Sequence, residues 1–304
     1  MNGATAAGMK LDLVYNPVAG SFRKSRLDAL VRAFARRGWT VRQVPSARKW
    51  RPTEMVPDLV CVHGGDGTLR DAVQALGTLA DSIPLCIAPS GTINLVAREI
   101  GYPRDPEKLA ERVTAAWKQG DERWLRAPLY RLGELPVVSC LSIGPDSHAV
   151  AHVSSTLKKR IGRFAYVVAM LRLLRQWPSQ EMDLAGEMAD GTPFACTAGA
   201  VIVSHGALFA GSFRLSPGAA LAADSVELIV LERTSRAGIV AFTAAALARL
   251  PLDRLGLATI RTVRRVSFDR CASPIQVDGD HIPDFEPGRA FAVEPTGMTL
   301  RYVV

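Results

Sequence analysis

The sequence predicts an α/β N-terminal domain with a Rossmann-like parallel sheet, followed by a β-rich C-terminal domain built as an antiparallel sandwich. The chain has 304 residues, and at about 150 residues per domain this length indicates two domains. Short apolar runs alternate with helical stretches up to Trp124, which is typical of βαβ units. After Trp124 strand-like runs follow one another with few helices between them, which favours antiparallel pairing.

In the N-terminal half, apolar runs bounded by Gly, Pro or polar residues predict strands, and the stretches between them predict helices. The predicted strands are Leu11–Tyr15, Val41–Val44, Leu59–His63 and Leu85–Ala88. The predicted helices are Lys24–Arg37, Thr68–Leu79, Asn94–Ile100 and Asp105–Gln119. Because ligands of such sheets bind at the carboxyl ends of the strands, we expect a site in the loops that follow them.

The C-terminal half is predicted to consist mainly of strands. They are Leu129–Leu132, Val137–Ile143, Phe194–Val203, Ser225–Leu231, Val263–Phe268, Pro274–Val277 and Ala290–Val293. Helical patterns interrupt them at Ala149–Gln176 and Ser235–Arg249. We assign residues 1–126 to the first domain and 127–296 to the second, with 297–304 expected to return to the first domain as a last strand.

Composition narrows the class of protein. Apolar residues make up 48% and charged residues 22%, which excludes a disordered or fibrous chain. A net charge of +8 favours an anionic partner, such as nucleic acid, a membrane surface or a phosphorylated ligand. The five cysteines form no CxxC pair, and no apolar run is long enough to span a bilayer. Since the first ten residues also lack the apolar segment of a signal peptide, we expect a cytoplasmic protein.

The most informative stretch joins the third predicted strand to the helix predicted from Thr68. Gly64, Gly65 and Gly67 fall within four positions. Glycines allow a ligand to approach the backbone closely, and a helix N-terminus offers N–H groups to phosphate. Asp66 would repel phosphate, so it indicates either a Mg²⁺ bound directly or through water, or a reacting hydroxyl that it orients. The alternative is an ordinary tight turn with an Asp cap.

Two further turns follow strands in the same way. Residues 89–94 (PSGTIN) follow the fourth strand, and residues 16–21 (NPVAGS) follow the first. Three such turns at one sheet edge would enclose a nucleotide. The patterns GxxxxGK[ST] and GxGxxG are absent, so neither a P-loop NTPase nor a dinucleotide dehydrogenase is supported.

Taken together, these motifs resemble the diacylglycerol kinase catalytic-domain family of bacterial lipid kinases, which is also similar to the sphingosine kinases. GGDGT alone would be shared with NAD kinases, whereas the ordered set is more specific. The matching segments begin, in chain order, at Asn16 (NP), Gly64 (GGDGT), Gly91 (GTINLVAR), Gly144 (GPD), Lys158 (KKRIGRFAY), Leu215 (LSPGA, with Asp224 beyond it) and Asp278 (DGD).

The resemblance implies a role for each matched position. Asp280 would accept the proton of the substrate hydroxyl, with Asp278 beside it and Asp66 near Mg²⁺–ATP. Asp280 stands where the family has Glu, and Ser225 follows Asp224 where Gly is usual. A supporting Mg²⁺ would be held by the Asp224 carboxylate and the backbone carbonyls of Leu221 and Val226. ATP would be held by Asn16, Ser46, Gly64, Gly65, Asp66, Gly67, Thr68, Leu69, Arg70, Gly91, Thr92 and Asn94.

We therefore expect a Mg²⁺-dependent lipid kinase that transfers the γ-phosphoryl group of ATP to a hydroxyl of a membrane lipid such as diacylglycerol. An NAD kinase and a non-catalytic lipid-binding relative are the alternatives. The identity of the lipid is left open, as is the oligomeric state, for which a homodimer is one option. A basic helical stretch with apolar residues, 158–175, favours peripheral contact with an anionic membrane. No nucleic-acid-binding module accompanies the charge, so nucleic acid is not expected as a partner.

Overall fold

A computed structural model of the chain describes residues 8–17, 19, 22–45, 50, 52, 55–152, 181–211, 213–271, 273–283 and 290–304. In the N-terminal half the strands are β1 (Met9–Tyr15), β2 (Trp39–Pro45), β3 (Leu59–Gly64) and β4 (Leu85–Pro89). The helices are α1 (Lys24–Ala35), α2 (Asp66–Leu76), α3 (Leu95–Ile100) and α4 (Pro106–Gln119), with 3₁₀ turns at Gly77–Asp81 and Asp121–Arg123.

These four strands are parallel neighbours in the order β4-β3-β1-β2. Every residue of β3 and β4 is buried, which explains why both segments are continuous apolar runs in the sequence. The parallel α/β prediction is thereby confirmed. The order also brings the loops after β1, β3 and β4 to one edge of the sheet.

Helix α2 begins two residues earlier than predicted, at Asp66 instead of Thr68. Gly65 is the extended N-cap residue, and its carbonyl accepts the Leu69 N–H at 3.0 Å to close the first turn. The helix also ends earlier, because Gly77 has a φ of +55°, which interrupts the helix. The GGDG loop is therefore partly helical, and Asp66 lies in the first turn.

The C-terminal half contains mainly antiparallel strands, as predicted. Its helices are α5, described over Pro145–His152, and α6 (Arg236–Leu247). Its strands are β5 (Leu125–Leu132), β6 (Leu135–Val137), β7 (Cys140–Ile143), β8 (Met182–Met188), β9 (Pro193–Ala198), β10 (Ala200–Ser204), β11 (Val226–Leu231), β12 (Thr259–Asp269), β13 (Ile275–Val277), β14 (Asp280–Ile282) and β15 (Phe291–Tyr302).

Several predicted boundaries in this half were wrong. The run Phe194–Val203 forms two strands that separate at Gly199, where a side chain would come within 3.0 Å of the Thr234 nitrogen. The run Val137–Ile143 is interrupted because the Val138 and Ser139 N–H groups donate to a carboxylate and not to a strand. Strands β8 and β14 were not predicted, and the helix expected over 149–176 begins at Pro145. Its part from residue 153 lies outside the described residues, as does the basic stretch 158–175.

Two strands join the halves into one sheet of fifteen strands. Leu129 of β5 packs in the core of the N-terminal half, and the next residue, Tyr130, packs in the core of the C-terminal half. Strand β15 runs between the same two cores, and its Tyr302 pairs in parallel with Leu85 of β4. The Val303 N–H donates to the Leu85 carbonyl at 2.9 Å. The border drawn at 126/127 thus falls inside β5, which crosses between the cores.

A third apolar cluster covers the other face of the C-terminal strands, where α6 packs on Ile202 of β10 and Ile229 of β11. None of the helices among the described residues has the length and apolar character needed to cross a bilayer. All five cysteines lie among the described residues as free thiols.

Candidate active site

The two glycine turns after β3 and β4 meet at the carboxyl edge of the sheet. The Ser90 and Gly91 N–H groups donate to the Gly64 carbonyl at 3.0 and 3.3 Å. A side chain on Gly91 would come within 2.7 Å of the Gly65 Cα, so only glycine allows this approach. Asn94, in the left-handed region at φ +55°, holds the second turn from within through bonds to the Gly91 backbone, both of 2.7 Å. The result is a double loop with few large side chains, in which Gly65, Gly67 and Gly91 are partly exposed.

Asp66 links the same two turns. Its carboxylate accepts the Leu95 N–H at 2.8 Å and the Val96 N–H at 3.1 Å, so it caps the N-terminus of α3. The side chain is buried, and burial raises its pKa while those two bonds oppose the rise. Asp66 thereby joins the loop after β3 to the loop after β4.

Residues 278–280 (DGD) of the second domain, which we call the acid turn, lie directly on the glycine loop, residues 64–67 (GGDG). A side chain at Gly67 would overlap the Asp280 carboxylate, which shows how closely the two approach. Arg70 of α2 is buried beneath them and donates to the Val277 carbonyl at 2.6 Å and to Asp280 Oδ2 at 3.1 Å. The Asp280 side chain is still 50% exposed. A half-exposed carboxylate is therefore held beside the glycine loop by a buried guanidinium.

Asp278 occupies a different environment two residues earlier. It is buried, with φ +52°, and its carboxylate accepts the N–H groups of Val138, Ser139 and Cys140 at 3.2, 2.8 and 3.2 Å. Burial raises the pKa of Asp278 to about 7, although the nearby Arg70 lowers it. Both oxygens of Asp278 are thus engaged in holding the start of β7, whereas Asp280 faces the loop.

Glu99 was not singled out in the sequence. It follows the GTINLVAR segment, and its carboxylate accepts the Ala207 N–H at 2.7 Å and the Leu221 N–H at 3.0 Å. Burial raises its pKa, and the N–H bonds oppose the rise. Glu99 therefore holds two loops of the C-terminal half against α3. The available signal in the sequence was a carboxylate directly after the GTINLVAR segment.

The residues expected to hold ATP separate into two groups. Thr92 is exposed, and Asn16, Gly65, Gly67, Thr68 and Gly91 are partly exposed at the edge. The other group is buried and has structural contacts: Gly64 packs against Thr68, Leu69 lies in the core, Arg70 binds the acid turn, and Asp66 and Asn94 hold the second loop. Ser46 lies outside the described residues.

The three residues expected to hold a supporting Mg²⁺ lie on the segment leading into β11. The Asp224 side chain is exposed, and its backbone carbonyl accepts the Tyr130 hydroxyl at 2.9 Å. Leu221 is anchored by Glu99, and Val226 pairs with Val263 of β12. One carboxylate with backbone carbonyls is an all-oxygen donor set, which suits Mg²⁺ that retains several waters. Among the described residues no three His, Cys, Asp or Glu side chains form a metal-ligand group.

Three other polar residues have contacts of their own. His63 is buried, and its Nδ1 lies 3.2 Å from the Ala88 carbonyl, so it packs within the sheet. His148 Nε2 lies 2.8 Å from Ser273 Oγ, which is a contact within the C-terminal half. Burial raises the pKa of Asp146 to about 6, and Ser142 opposes the rise.

Two family models match the chain. The model of the diacylglycerol kinase catalytic domain matches residues 10–121. The model of the YegS C-terminal NAD kinase beta sandwich-like domain matches residues 139–301, more than half of the chain.

Named relatives agree with these models. A probable lipid kinase YegS-like of Pseudomonas putida is 30% identical over 127 residues, which are 42% of this chain and 41% of that protein. This chain therefore spans about two fifths of the length of that relative. A diacylglycerol kinase of Staphylococcus haemolyticus is 24% identical over 234 residues, 74% of this chain and 68% of that protein. A crystal structure of a diacylglycerol kinase from Bacillus anthracis has a TM-score of 0.69 at 18% identity, covers 98% of this chain and 97% of that chain, and thus shares the fold.

Proposed function

The chain belongs to the family in which a diacylglycerol kinase catalytic domain is joined to a YegS-type β-sandwich domain, and from this membership we propose that it is an ATP-dependent lipid kinase. The acceptor is a hydroxyl group of a membrane lipid, with diacylglycerol as the first candidate. The observation that carries the proposal is the approach of the half-exposed Asp280 carboxylate to Gly67 of the glycine loop. The proposed proton acceptor of one domain thus lies beside the proposed phosphate cradle of the other, and we call the place where they meet the cleft.

We assign the phosphates of ATP to the backbone of the double loop. The first-turn N–H groups of α2, at Gly67 and Thr68, have no acceptor within the helix and carry its positive end. Phosphate binds readily at such a terminus, and the absence of side chains at Gly65 and Gly67 allows it to approach. Thr92, exposed on the second loop, adds a hydroxyl donor. Arg70 is not assigned to the phosphates because its guanidinium is buried and binds the acid turn.

Asp280 is assigned as the proton acceptor. Phosphoryl transfer depends chiefly on positioning and on charge stabilisation, so the base must orient the attacking hydroxyl and take its proton as the bond to phosphorus forms. Arg70 holds the Asp280 carboxylate through one oxygen at 3.1 Å and leaves the other side of the group exposed to the cleft. Asp278 is assigned a positioning role, because its oxygens receive three backbone N–H groups.

Mg²⁺ dependence is part of the proposal. Bound with the nucleotide, Mg²⁺ would offset the phosphate charge, and a supporting Mg²⁺ would be held by the carboxylate of Asp224 with the carbonyls of Leu221 and Val226. The segment that carries them is anchored to α3 through Glu99 and to β5 through Tyr130. Asp66 keeps α3 in position for both loops and is assigned a positioning role.

The direct test is incubation of the purified chain with γ-labelled ATP, Mg²⁺ and a total lipid extract, followed by identification of the labelled product. A labelled phospholipid is expected, and a parallel reaction with NAD should remain unlabelled. Label in NAD alone would overturn the lipid assignment, and label in neither would overturn the kinase assignment.

The role of Asp280 is tested by Asp280→Asn. General-base catalysis contributes about 10²–10⁴-fold, so kcat should fall by that range while KM for ATP stays close to that of the wild type. The matched variant Asp183→Asn changes an exposed carboxylate that pairs with Arg270 away from the cleft, and its kcat should be unchanged. An Asp280→Asn enzyme with wild-type kcat would remove Asp280 from the mechanism.

A further inference from the structure

Helix α6 presents an apolar face to solvent. Its inner residues, including Ile239 and Phe242, pack in the third apolar cluster over β10 and β11. Its outer positions between Arg236 and Arg249 carry no charge, and Val240 and Leu247 are 56% and 65% exposed. A helix on a protein surface ordinarily has a polar outer face, and one that is apolar all round is ordinarily buried. The outer face of α6 thus has the composition of a buried surface.

The apolar surface continues beyond the helix. Leu250 and Leu255, on the segment after α6, are 49% and 51% exposed. With Val240 and Leu247 they are four of the six large apolar side chains that are exposed among the described residues. We call α6 and residues 248–257 the docking face. The four exposed side chains fall within residues 240–255, and apolar side chains gathered on one exposed surface mark an interaction surface, whereas singly scattered ones do not.

The charges around the docking face are mainly positive. Residues 232–257 contain four arginines and two acids. The arginines are Arg233, Arg236, Arg249 and Arg254, placed before and after the uncharged stretch of α6. An apolar strip with arginine at its margins is the composition of helices that lie in the interface of an anionic bilayer, where the apolar side chains enter the acyl boundary and the guanidinium groups meet the headgroups.

The docking face is connected to the candidate active site by packing. Phe209 and Phe213 pair with each other through N–H···O bonds of 2.9 and 3.1 Å and pack in the same cluster as α6. The loop that carries Phe209 is held against helix α3, because the Ala207 N–H donates to the Glu99 carboxylate. The docking face is therefore connected to the glycine loops through packed and hydrogen-bonded residues.

We infer that the docking face seats the protein on the surface of an anionic phospholipid bilayer. The choice of a bilayer as the partner rests on the proposed lipid substrate, because a second copy of the chain would also cover an apolar surface. The positive margin favours the bilayer, since two copies that meet through this face would bring their arginines together.

The test is sedimentation with vesicles in the absence of ATP. The wild type should bind vesicles of an equimolar phosphatidylcholine–phosphatidylglycerol mixture more tightly than vesicles of phosphatidylcholine alone. The double variant Val240→Glu/Leu247→Glu should lower the partition coefficient at least about tenfold, the equivalent of one apolar side chain no longer buried. Arg249→Gln/Arg254→Gln should reduce the preference for the anionic vesicles.

Val56→Glu is the matched control, because Val56 is 50% exposed on the N-terminal half and should not affect partition. An unchanged partition coefficient in the Val240→Glu/Leu247→Glu variant would overturn the inference. So would a wild-type dimer, seen by light scattering, that ignores vesicles and dissociates in that variant. Vesicle binding by a chain that labels no lipid would retain the docking face and overturn only the kinase proposal. A docking variant that still phosphorylates a short-chain, dispersed diacylglycerol would separate docking from catalysis.

Discussion

The glycine loops after β3 and β4 and the acid turn lie against each other but are built by different means. The loops after β3 and β4 are formed by residues close together in the chain, such as Gly91 with Asn94 and Gly64 with Thr68. The acid turn is held by residues far away in the chain, since Arg70 binds Val277 and Asp280 across 207 and 210 positions. The glycine loops therefore depend on local backbone geometry, whereas the acid turn depends on the docking of the two halves.

Gly67→Ala would disturb the contact between the two sides most directly. The added methyl group would overlap the Asp280 carboxylate, which is the end of a half-exposed side chain that can move aside. We therefore expect kcat to fall about 100-fold, because a displacement of about 1 Å at a reacting group has that effect, with little change in the free energy of unfolding. Steady-state kinetics and urea unfolding measure the two quantities.

The control for Gly67→Ala is Gly8→Ala. Gly8 is exposed just before β1, where a methyl group would meet the Thr40 hydroxyl at 3.3 Å and the Gly38 carbonyl at 3.8 Å. Its kcat should equal that of the wild type. If Gly67→Ala also retained full turnover, the close approach of Asp280 to the glycine loop would have no catalytic importance.

The Glu99→Gln variant tests the contacts between distant parts of the chain, and the free energy of unfolding is the quantity measured. The amide can accept only one of the two N–H groups, from Ala207 and Leu221, that the carboxylate accepts. A buried donor left without an acceptor costs about 1–3 kcal/mol, so the free energy of unfolding should fall by that amount. Glu111→Gln, on the exposed side of α4, should change it by no more than about 0.5 kcal/mol. Equal unfolding curves for both variants would show that Glu99 does not hold the halves together.

Asp278→Asn is expected to change how the free energy of unfolding depends on pH. The pKa of Asp278 is about 7 in the folded chain and about 4 in an unfolded one, so the folded state binds the proton more tightly. Between those values the carboxyl should reduce stability as pH rises, by up to about 1.4 kcal/mol per pH unit. Urea unfolding from pH 4 to 8 should show this slope in the wild type and a weaker one in the variant. The same slope in both would assign the pH dependence to other groups.

Much of the first half was predictable because its signals are local. The alternation of strands and helices predicted β1, β2, β3 and β4, and the glycines predicted where the loops after β3 and β4 would be found. Second-half strands were harder to place, because Gly199 interrupts an apolar run and the N–H groups of Val138 and Ser139 bind Asp278 and not a neighbouring strand. The apolar pattern alone carries no information about such partners.

The sequence by itself determined the family resemblance, the two kinds of sheet and the glycine loops at the carboxyl edge. These features depend on residue type and spacing over a few positions, which the chain states directly. Only the tertiary structure decided which carboxylates have which environment: Asp66 and Asp278 are buried as acceptors of backbone N–H groups, while Asp280 is left half-exposed beside Gly67. The physical reason is that the surroundings of a carboxylate depend on donors contributed by distant segments, and those segments meet only when β5 and β15 join the two halves.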